Sequence, residues 1–233
     1  MKLSIIVPTY NEQQTVEQVI QAVLAAPLPI PYELVLIDDH SEDHTLAIER
    51  RLQQLLGEDR VRVVCNSSNR GKGHCIRQGL AVATGELVII QDGDLEYRPA
   101  DIPQLLAPIL AGRAAVVYGS RFLHHQWPHG MRWPNVLANR LLTWLTNRLY
   151  RLHLTDMETG YKIVPRELVM QLGLCAERFE FEPEITARLA RQGVPITEVP
   201  IAYEARGVGC GKKIRPWDFF IAVQVLWSVR FAR

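Results

Sequence analysis

The chain opens as an exchange between short apolar runs and longer stretches with helical spacing. Leu3 to Val7 is an apolar, β-rich run closed by Pro8. Val16, Val19, Ile20, Val23 and Leu24 then recur at helical intervals until Pro27, Pro29 and Pro31. Glu33 to Ile37 predicts a second strand, stopped by Asp38-Asp39-His40-Ser41. The helix that follows carries Leu46, Ile48, Leu52 and Leu55, with Ser41 and Asp43 as N-cap candidates. Val61 to Val64 predicts a third strand, Asn66 to Gly73 a polar glycine-bearing loop, and Ile76 to Ala83 a helix. Val88-Ile89-Ile90 then reads as a buried strand running into Gln91-Asp92-Gly93-Asp94-Leu95-Glu96-Tyr97. Strands alternating with helices imply an α/β fold, a mostly parallel sheet covered on both faces. Ligands of such sheets bind beyond the carboxyl ends of the strands. Thr9 to Glu12, Asp38 and Asp39, Asn69 to Gly73, and Asp92 to Glu96 all follow strand ends, so one rim should gather them.

The alternation weakens after residue 97. A helix through Leu105, Leu106, Ile109 and Leu110 starts near Pro99, and Ala115 to Tyr118 predicts a strand followed by Gly119-Ser120-Arg121-Phe122. His124 to Asn135 reads as a loop. Val136 to Leu152 predicts an amphipathic helix with Leu137, Leu141, Leu145, Leu149 and Leu152 on one face. Val164 to Leu172 reads as strand then helix, Phe181 to Gln192 as helix, and Ile196 to Tyr203 as strand. Gly207 to Gly211 is flexible in composition, and Pro216 to Phe231 predicts a final apolar helix.

The chemistry is concentrated on the rim. Asp92, Asp94 and Glu96 at one strand end repel one another unless a cation neutralises them. Mg²⁺ and Mn²⁺ favour such oxygen ligands, and Mg²⁺ commonly bridges one or two carboxylates to substrate phosphates. A diphosphate-bearing ligand is the implied partner, against the plainer reading of a polar turn bent at Gly93. Asp39 is placed for a nucleotide contact, or else for capping the next helix. Lys72, in Asn69-Arg70-Gly71-Lys72-Gly73, is either a nucleotide contact or a solvated turn residue, since the segment lacks the spacing of a Walker loop. Asp156, in Thr155-Asp156-Met157-Glu158, is an acid/base candidate because it lies in a loop. Glu182 and Glu184 read as caps at a helix N-terminus. Arg206, Lys212, Lys213 and Arg215 flank glycines and suggest a cationic lid over phosphates. No GxGxxG or Gly-x-Ser-x-Gly motif occurs, which disfavours a dinucleotide fold and acyl transfer by an elbow serine. The histidines show no zinc-like spacing.

Bulk properties narrow this further. The 233 residues suit one domain with a sizeable core. A net charge of +1 gives no argument for nucleic acid. Cys65, Cys75, Cys175 and Cys210 include no CxxC pair and read as reduced thiols of a cytoplasmic protein. The N-terminus does not read as a signal peptide, and no run of about 18 uncharged apolar residues predicts a transmembrane helix.

Taken in order, several segments resemble the family 2 glycosyltransferases, specifically the dolichyl-phosphate mannosyltransferase-like group. They are Ser4 to Glu12, Ile37 to Ser41, Gly71-Lys72-Gly73, Gln91 to Tyr97, Gly119 to Phe122, Glu158 to Lys162, Phe179 to Glu184 and Gly211 to Ile214. The resemblance implies a GT-A fold: a single Rossmann-like, mostly parallel sheet flanked by helices, here with C-terminal amphipathic helices. It divides the chain into a nucleotide-binding half (1–97), an acceptor-binding half with a lid (98–215) and a C-terminal helix (216–233). It implies inverting, metal-dependent transfer of a sugar from a GDP- or UDP-sugar to a polyprenyl phosphate at the cytoplasmic face of a membrane. Alternatives are a sugar hydroxyl as acceptor, or a non-catalytic nucleotide-binding module. Carried over by motif, Pro8, Tyr10, Glu12, Asp39, Lys72 and Gln91 would contact the donor nucleotide. Asp92 and Asp94 would hold Mg²⁺ or Mn²⁺, with Glu96 beside them, and Arg121, Lys162, Arg206 and Lys212 would handle phosphates. Asp156 would position the acceptor or sugar. The chain departs from the family at Gly93, often alanine, and at Cys210, often an acid. Val136 to Leu152, with Trp144, Arg140, Arg148 and Arg151, and the last helix suit either a peripheral membrane contact or packing, including against a homodimer or membrane-protein partner.

Overall fold

The structure is a computed structural model that describes residues 1–123, 128–205 and 216–232. Four strands, β1 (Leu3–Thr9), β2 (Tyr32–Asp38), β3 (Val61–Cys65) and β4 (Leu87–Ile90), alternate with helices α1 (Val16–Ala25), α2 (Thr45–Leu56) and α3 (Lys72–Val82). A 3₁₀ turn (Pro99–Asp101) leads into α4 (Ile102–Leu110), then come β5 (Val116–Ser120), α5 (Trp133–Tyr150), β6 (Lys162–Pro165), α6 (Arg166–Gln171), α7 (Phe181–Arg191), β7 (Ile196–Pro200) and α8 (Pro216–Phe231). They form one seven-stranded sheet in the order β3-β2-β1-β4-β6-β5-β7. β6 runs antiparallel to both of its neighbours, and the other pairings are parallel.

Two-residue periodicity explains the two-sided core. In β1, Leu3, Ile5 and Val7 join one apolar cluster with α1 and α4, while Ile6 joins the other with α3, α5, α7 and α8. In β2, Leu34 and Leu36 face the first cluster and Val35 and Ile37 the second. β1 and β2 end together at Thr9 and Asp38, and β4, parallel to them, ends beside Ile6, so the loops after all three leave the same side of the sheet. β1 is central between β2 and β4, where the winding direction reverses, and that is the position at which such sheets bind ligands.

Three boundaries differ from those expected. α3 begins at Lys72 rather than Ile76, so Lys72 is a first-turn residue and not part of a solvated loop. Gly71, at φ 98, makes this entry possible: a Cβ there would lie 2.6 Å from the Glu177 carbonyl. β5 continues through Gly119 and Ser120 by pairing with β7. α5 starts at Trp133, with Pro134 in its first turn, where a missing N–H is tolerated.

The single leucine face expected on α5 is also absent. Leu137 and Leu141 are exposed with Trp133 and Trp144, whereas Leu145, Leu149 and Leu152 pack partly against the core. A four-residue spacing advances about 40° per step on a 3.6-residue helix, so such a series winds around the cylinder. The buried stripe is Val136, Asn139, Leu142, Thr143 and Thr146. Cys65, Cys75 and Cys175 are free thiols. No helix among the described residues is long and apolar enough to cross a membrane.

Candidate active site

The rim is assembled by side chains that tie its loops together. Asp39 leaves the end of β2 and accepts the backbone N–H groups of Arg70 (2.9 Å) and Gly71 (2.7 Å) and the Asn66 amide (2.8 Å), fixing the approach to α3. Asn11, in left-handed conformation, accepts Glu42 N–H at 2.8 Å, and its own N–H meets Ser41 Oγ at 3.0 Å, joining the loops after β1 and β2. Glu12 is buried, takes the Thr15 hydroxyl at 3.0 Å, and has its N–H on Thr45 Oγ1 at 2.8 Å. Pro8 and Tyr10 are half-buried beside it.

Asp92 follows β4. Its Oδ1 lies 2.7 Å from Lys72 Nζ, which is also 3.3 Å from Glu182 Oε1. Burial opposes the charge on Lys72, but the two carboxylates outweigh it and hold the ammonium protonated. Asp92 Oδ2 reaches toward Gly160, where a Cβ would come within 2.9 Å, so glycine is what admits that carboxylate. Asp94 Oδ1 accepts the Glu96 N–H at 3.1 Å, in a turn that carries Leu95 at φ 60.

Four expected roles read differently in the folded chain. Glu96 accepts the Tyr203 hydroxyl at 2.5 Å, and no group of three acids, histidines or cysteines among the described residues converges as a metal site. Gln91 is fully buried, accepts the Tyr161 hydroxyl and donates to the Asp92 carbonyl at 3.0 Å, so it braces the acid turn from beneath instead of facing a nucleotide. Lys162 is buried against Glu182 and the Thr159 carbonyl, 4.9 Å from the Tyr118 ring centroid, and is not presented to phosphates. Burial outweighs Glu182 and lowers its pKa.

Asp156 is the fourth. Arg121 grips it with Nε (2.7 Å to Oδ2) and Nη2 (2.8 Å to Oδ1), adds its own N–H at 3.0 Å, and Asn139 donates at 3.0 Å. Burial would raise the Asp156 pKa, but Arg121 and these donors bring it below the usual range. A carboxylate so engaged is a counterion that orients Arg121, not a base. The guanidinium lies 5.0 Å from the Tyr203 ring centroid and 5.9 Å from Tyr97's. Arg206 and Lys212, with Lys213 and Arg215, lie outside the described residues.

Sequence reasoning missed Glu158 and Glu182. Glu158 Oε1 is buried without a hydrogen-bond partner among the described residues, and burial together with Glu182 raises the carboxyl to about 7. Glu182 was expected to cap α7; it instead points into the site between Lys72 and Lys162, while Glu184 accepts the N–H groups of Cys175 (3.0 Å) and Ala176 (2.7 Å). The alternating acids of Phe179 to Glu184 were the available signal, but their separate destinations depend on contacts remote in sequence.

A model of the family described as glycosyl transferase family 2 matches residues 4–173. The chain belongs to glycosyl transferase family 2. Similar curated proteins include undecaprenyl-phosphate 4-deoxy-4-formamido-L-arabinose transferase of Sodalis glossinidius (strain morsitans), 29% identical over 91% of this chain and 62% of that protein. Dodecaprenyl-phosphate galacturonate synthase of Rhizobium johnstonii is 29% identical over 100% of this chain and 68% of that protein. This family 2 chain therefore spans less than two thirds of the first relative's length. Its fold is shared with glucosyl-3-phosphoglycerate synthase from Mycobacterium tuberculosis in complex with Mn²⁺, UDP and phosphoglyceric acid, with TM-score 0.72, 23% identity, and coverage of 100% of this chain and 79% of that one. The same synthase in complex with Mg²⁺ and UDP gives a TM-score of 0.69 at 23% identity, covering 98% and 79%. The expected GT-A architecture is met.

Proposed function

We propose that this family 2 protein transfers a sugar, with inversion, from a nucleotide-diphospho-sugar to a polyprenyl phosphate. The observation that carries the acceptor reading is the engagement of Asp156: the acid expected to act as base is fully paired with Arg121. A phosphate acceptor is already anionic near neutral pH and needs no base, unlike a sugar hydroxyl. The names of the two relatives, both polyprenyl-phosphate enzymes, support the same choice.

Donor binding is assigned to the half formed by residues 1–97. Pro8, Tyr10 and Glu12 would line the base and ribose, while Asp39 fixes the loop that delivers Lys72. The donor set at Asp92 and Asp94 fits Mg²⁺ or Mn²⁺: two hard carboxylates one residue apart, with one oxygen of Asp92 already matched to a cation. When bound there, such an ion supplies charge neutralisation for the departing nucleoside diphosphate. Lys72 adds a second cation in the same cleft, and Gln91 and Tyr161 hold the acid turn rigid beneath it. Arg121, locked by Asp156 and stacked among aromatics, is the preorganised cation of the acceptor-binding half.

Access to a lipid fits the outer surface. α5 exposes Trp133, Leu137, Leu141 and Trp144 beside Arg140 and Arg148, and α8 exposes Trp217, Phe220, Trp227 and Phe231 beside Arg230. The Tyr150 hydroxyl donates to the Leu226 carbonyl at 2.6 Å, linking the two helices. Clustered aromatics with arginines suit seating at an anionic bilayer surface.

A thermal-shift panel of UDP-, GDP- and dTDP-sugars with Mn²⁺ tests the donor site. One nucleotide should raise the melting temperature of the wild type and not of Asp92→Asn. The same shift in both proteins would remove Asp92 from the donor site.

A further inference from the structure

We infer that Lys72 is a resident stand-in for the metal at Asp92, and that Glu182 is the built receiver that takes the ammonium when a divalent cation arrives. The inference rests on the proposed metal site. Three observations carry it. Lys72 Nζ lies against Asp92 Oδ1 at 2.7 Å, on a carboxylate that would hold the ion. The same nitrogen is 3.3 Å from Glu182 Oε1, within ion-pair range, yet that oxygen is buried and has no hydrogen-bond partner among the described residues. The other carboxylate oxygen of Glu182 is held by Lys162, so the receiver cannot swing away from Lys72.

A buried carboxylate oxygen with an open acceptor position is costly unless a donor reaches it in some state of the protein. Lys72 is the donor already at hand. Without metal, its ammonium divides between two acids and favours Asp92. With metal on Asp92, like charges repel, and a small rotation of the lysine side chain completes the bond to Glu182. The acid turn is never left bare, since each state pairs Asp92 with one cation, and Lys72 stays in the cleft for the donor diphosphate. Glu182 is thus a positioning residue that acts through Lys72. The acid turn after β4 and the first turn of α7 are coupled because one ammonium cannot satisfy both acids equally.

Mn²⁺ alone is the probe, with free Mn²⁺ read by electron paramagnetic resonance in the absence of nucleotide. Lys72→Met should bind Mn²⁺ at least tenfold more tightly than wild type, and Glu182→Gln several-fold more weakly. Mere long-range charge would produce both changes additively. The exchange of one lysine between two acids predicts instead that Glu182→Gln has no further effect in a Lys72→Met background. Because Glu182→Gln also strips Lys162 of its partner, the cycle is repeated with Lys162→Met in every member, which removes that buried charge. Additive effects in both cycles, or equal affinity in wild type and Lys72→Met, overturn the inference while leaving the metal site standing. Absence of any Mn²⁺ binding that Asp92→Asn abolishes overturns the metal site and the inference together.

Discussion

Glu49 offers a prediction that is independent of any ligand. It projects from α2 to the end of β1, fully buried, with the Thr9 hydroxyl donating to Oε1 at 2.7 Å. Its Oε2 has no hydrogen-bond partner among the described residues, and neither has Oδ1 of nearby Asp38. Burial, reinforced by the Asp38 charge and opposed by the Thr9 bond, raises the carboxyl from 4.5 to about 8. The folded state therefore favours the protonated form. The stability this contributes is complete below the unfolded-state pKa of 4.5 and is lost progressively as pH rises through about 8. Between those limits the loss is about 1.4 kcal/mol per pH unit, so two pH units correspond to roughly 3 kcal/mol as an order of magnitude. Glu49→Gln keeps the shape and an acceptor for Thr9 but cannot ionise. Urea unfolding of both proteins at pH 5.5 and 7.5 reads the difference directly. The variant should gain on the wild type by about 2–3 kcal/mol between the two pH values. A stability difference that stays constant to within about 0.5 kcal/mol across that interval, the usual reach of a surface substitution, would refute the reasoning.

Two further outcomes concern Asp156 and the exposed faces of α5 and α8. Asp156→Asn leaves Arg121 buried without its counterion and should cost about 3–5 kcal/mol in urea unfolding. Adding Arg121→Gln should return part of that loss, whereas additive losses would show that the pair is not the source. The exposed aromatics of α5 and α8 should seat the protein on anionic vesicles, so wild type should co-sediment with phosphatidylglycerol vesicles and a Trp144→Glu/Trp227→Glu variant should not. Equal sedimentation of both would remove these helices from the membrane contact, and a concentration-dependent dimer of wild type alone would make that face a subunit interface.

What could be read from the sequence follows from where each residue's determinants lie. β1, β2 and β4 are buried on both faces and therefore appear as near-continuous apolar runs, and the loops at their carboxyl ends made the acid rim legible. Asp92 and Asp94 stand out in the sequence because two acids one residue apart at a buried strand end call for a cation. The cation that Asp92 meets in this structure, Lys72, reads as a loop residue in the sequence because Gly71 and Gly73 resemble a turn; packing of Gly71 against Glu177 starts the helix there. Asp156 looked like a base because it sits between elements, and its burial depends on Arg121 and Asn139 from two distant segments. Glu182 looked like a helix cap for the same reason: capping is a local expectation, and Lys72 and Lys162 reach it only through the fold. Spacing groups Glu96 with the aspartates, and its partner Tyr203 comes from the segment after β7, which spacing does not reveal. Strand ends and local spacing thus made the rim legible, whereas the pairings of Asp156, Glu182 and Glu96 depend on contacts that spacing does not encode.

The central claim is tested most directly by following radiolabelled sugar from UDP- and GDP-sugars, with Mn²⁺, into undecaprenyl phosphate presented in vesicles. The account predicts a mild-acid-labile, lipid-linked sugar phosphate from one of these donors, formed by the wild type and abolished in Asp92→Asn. Label transferred only to a hydroxyl acceptor, or lipid product formed equally by Asp92→Asn, would contradict it.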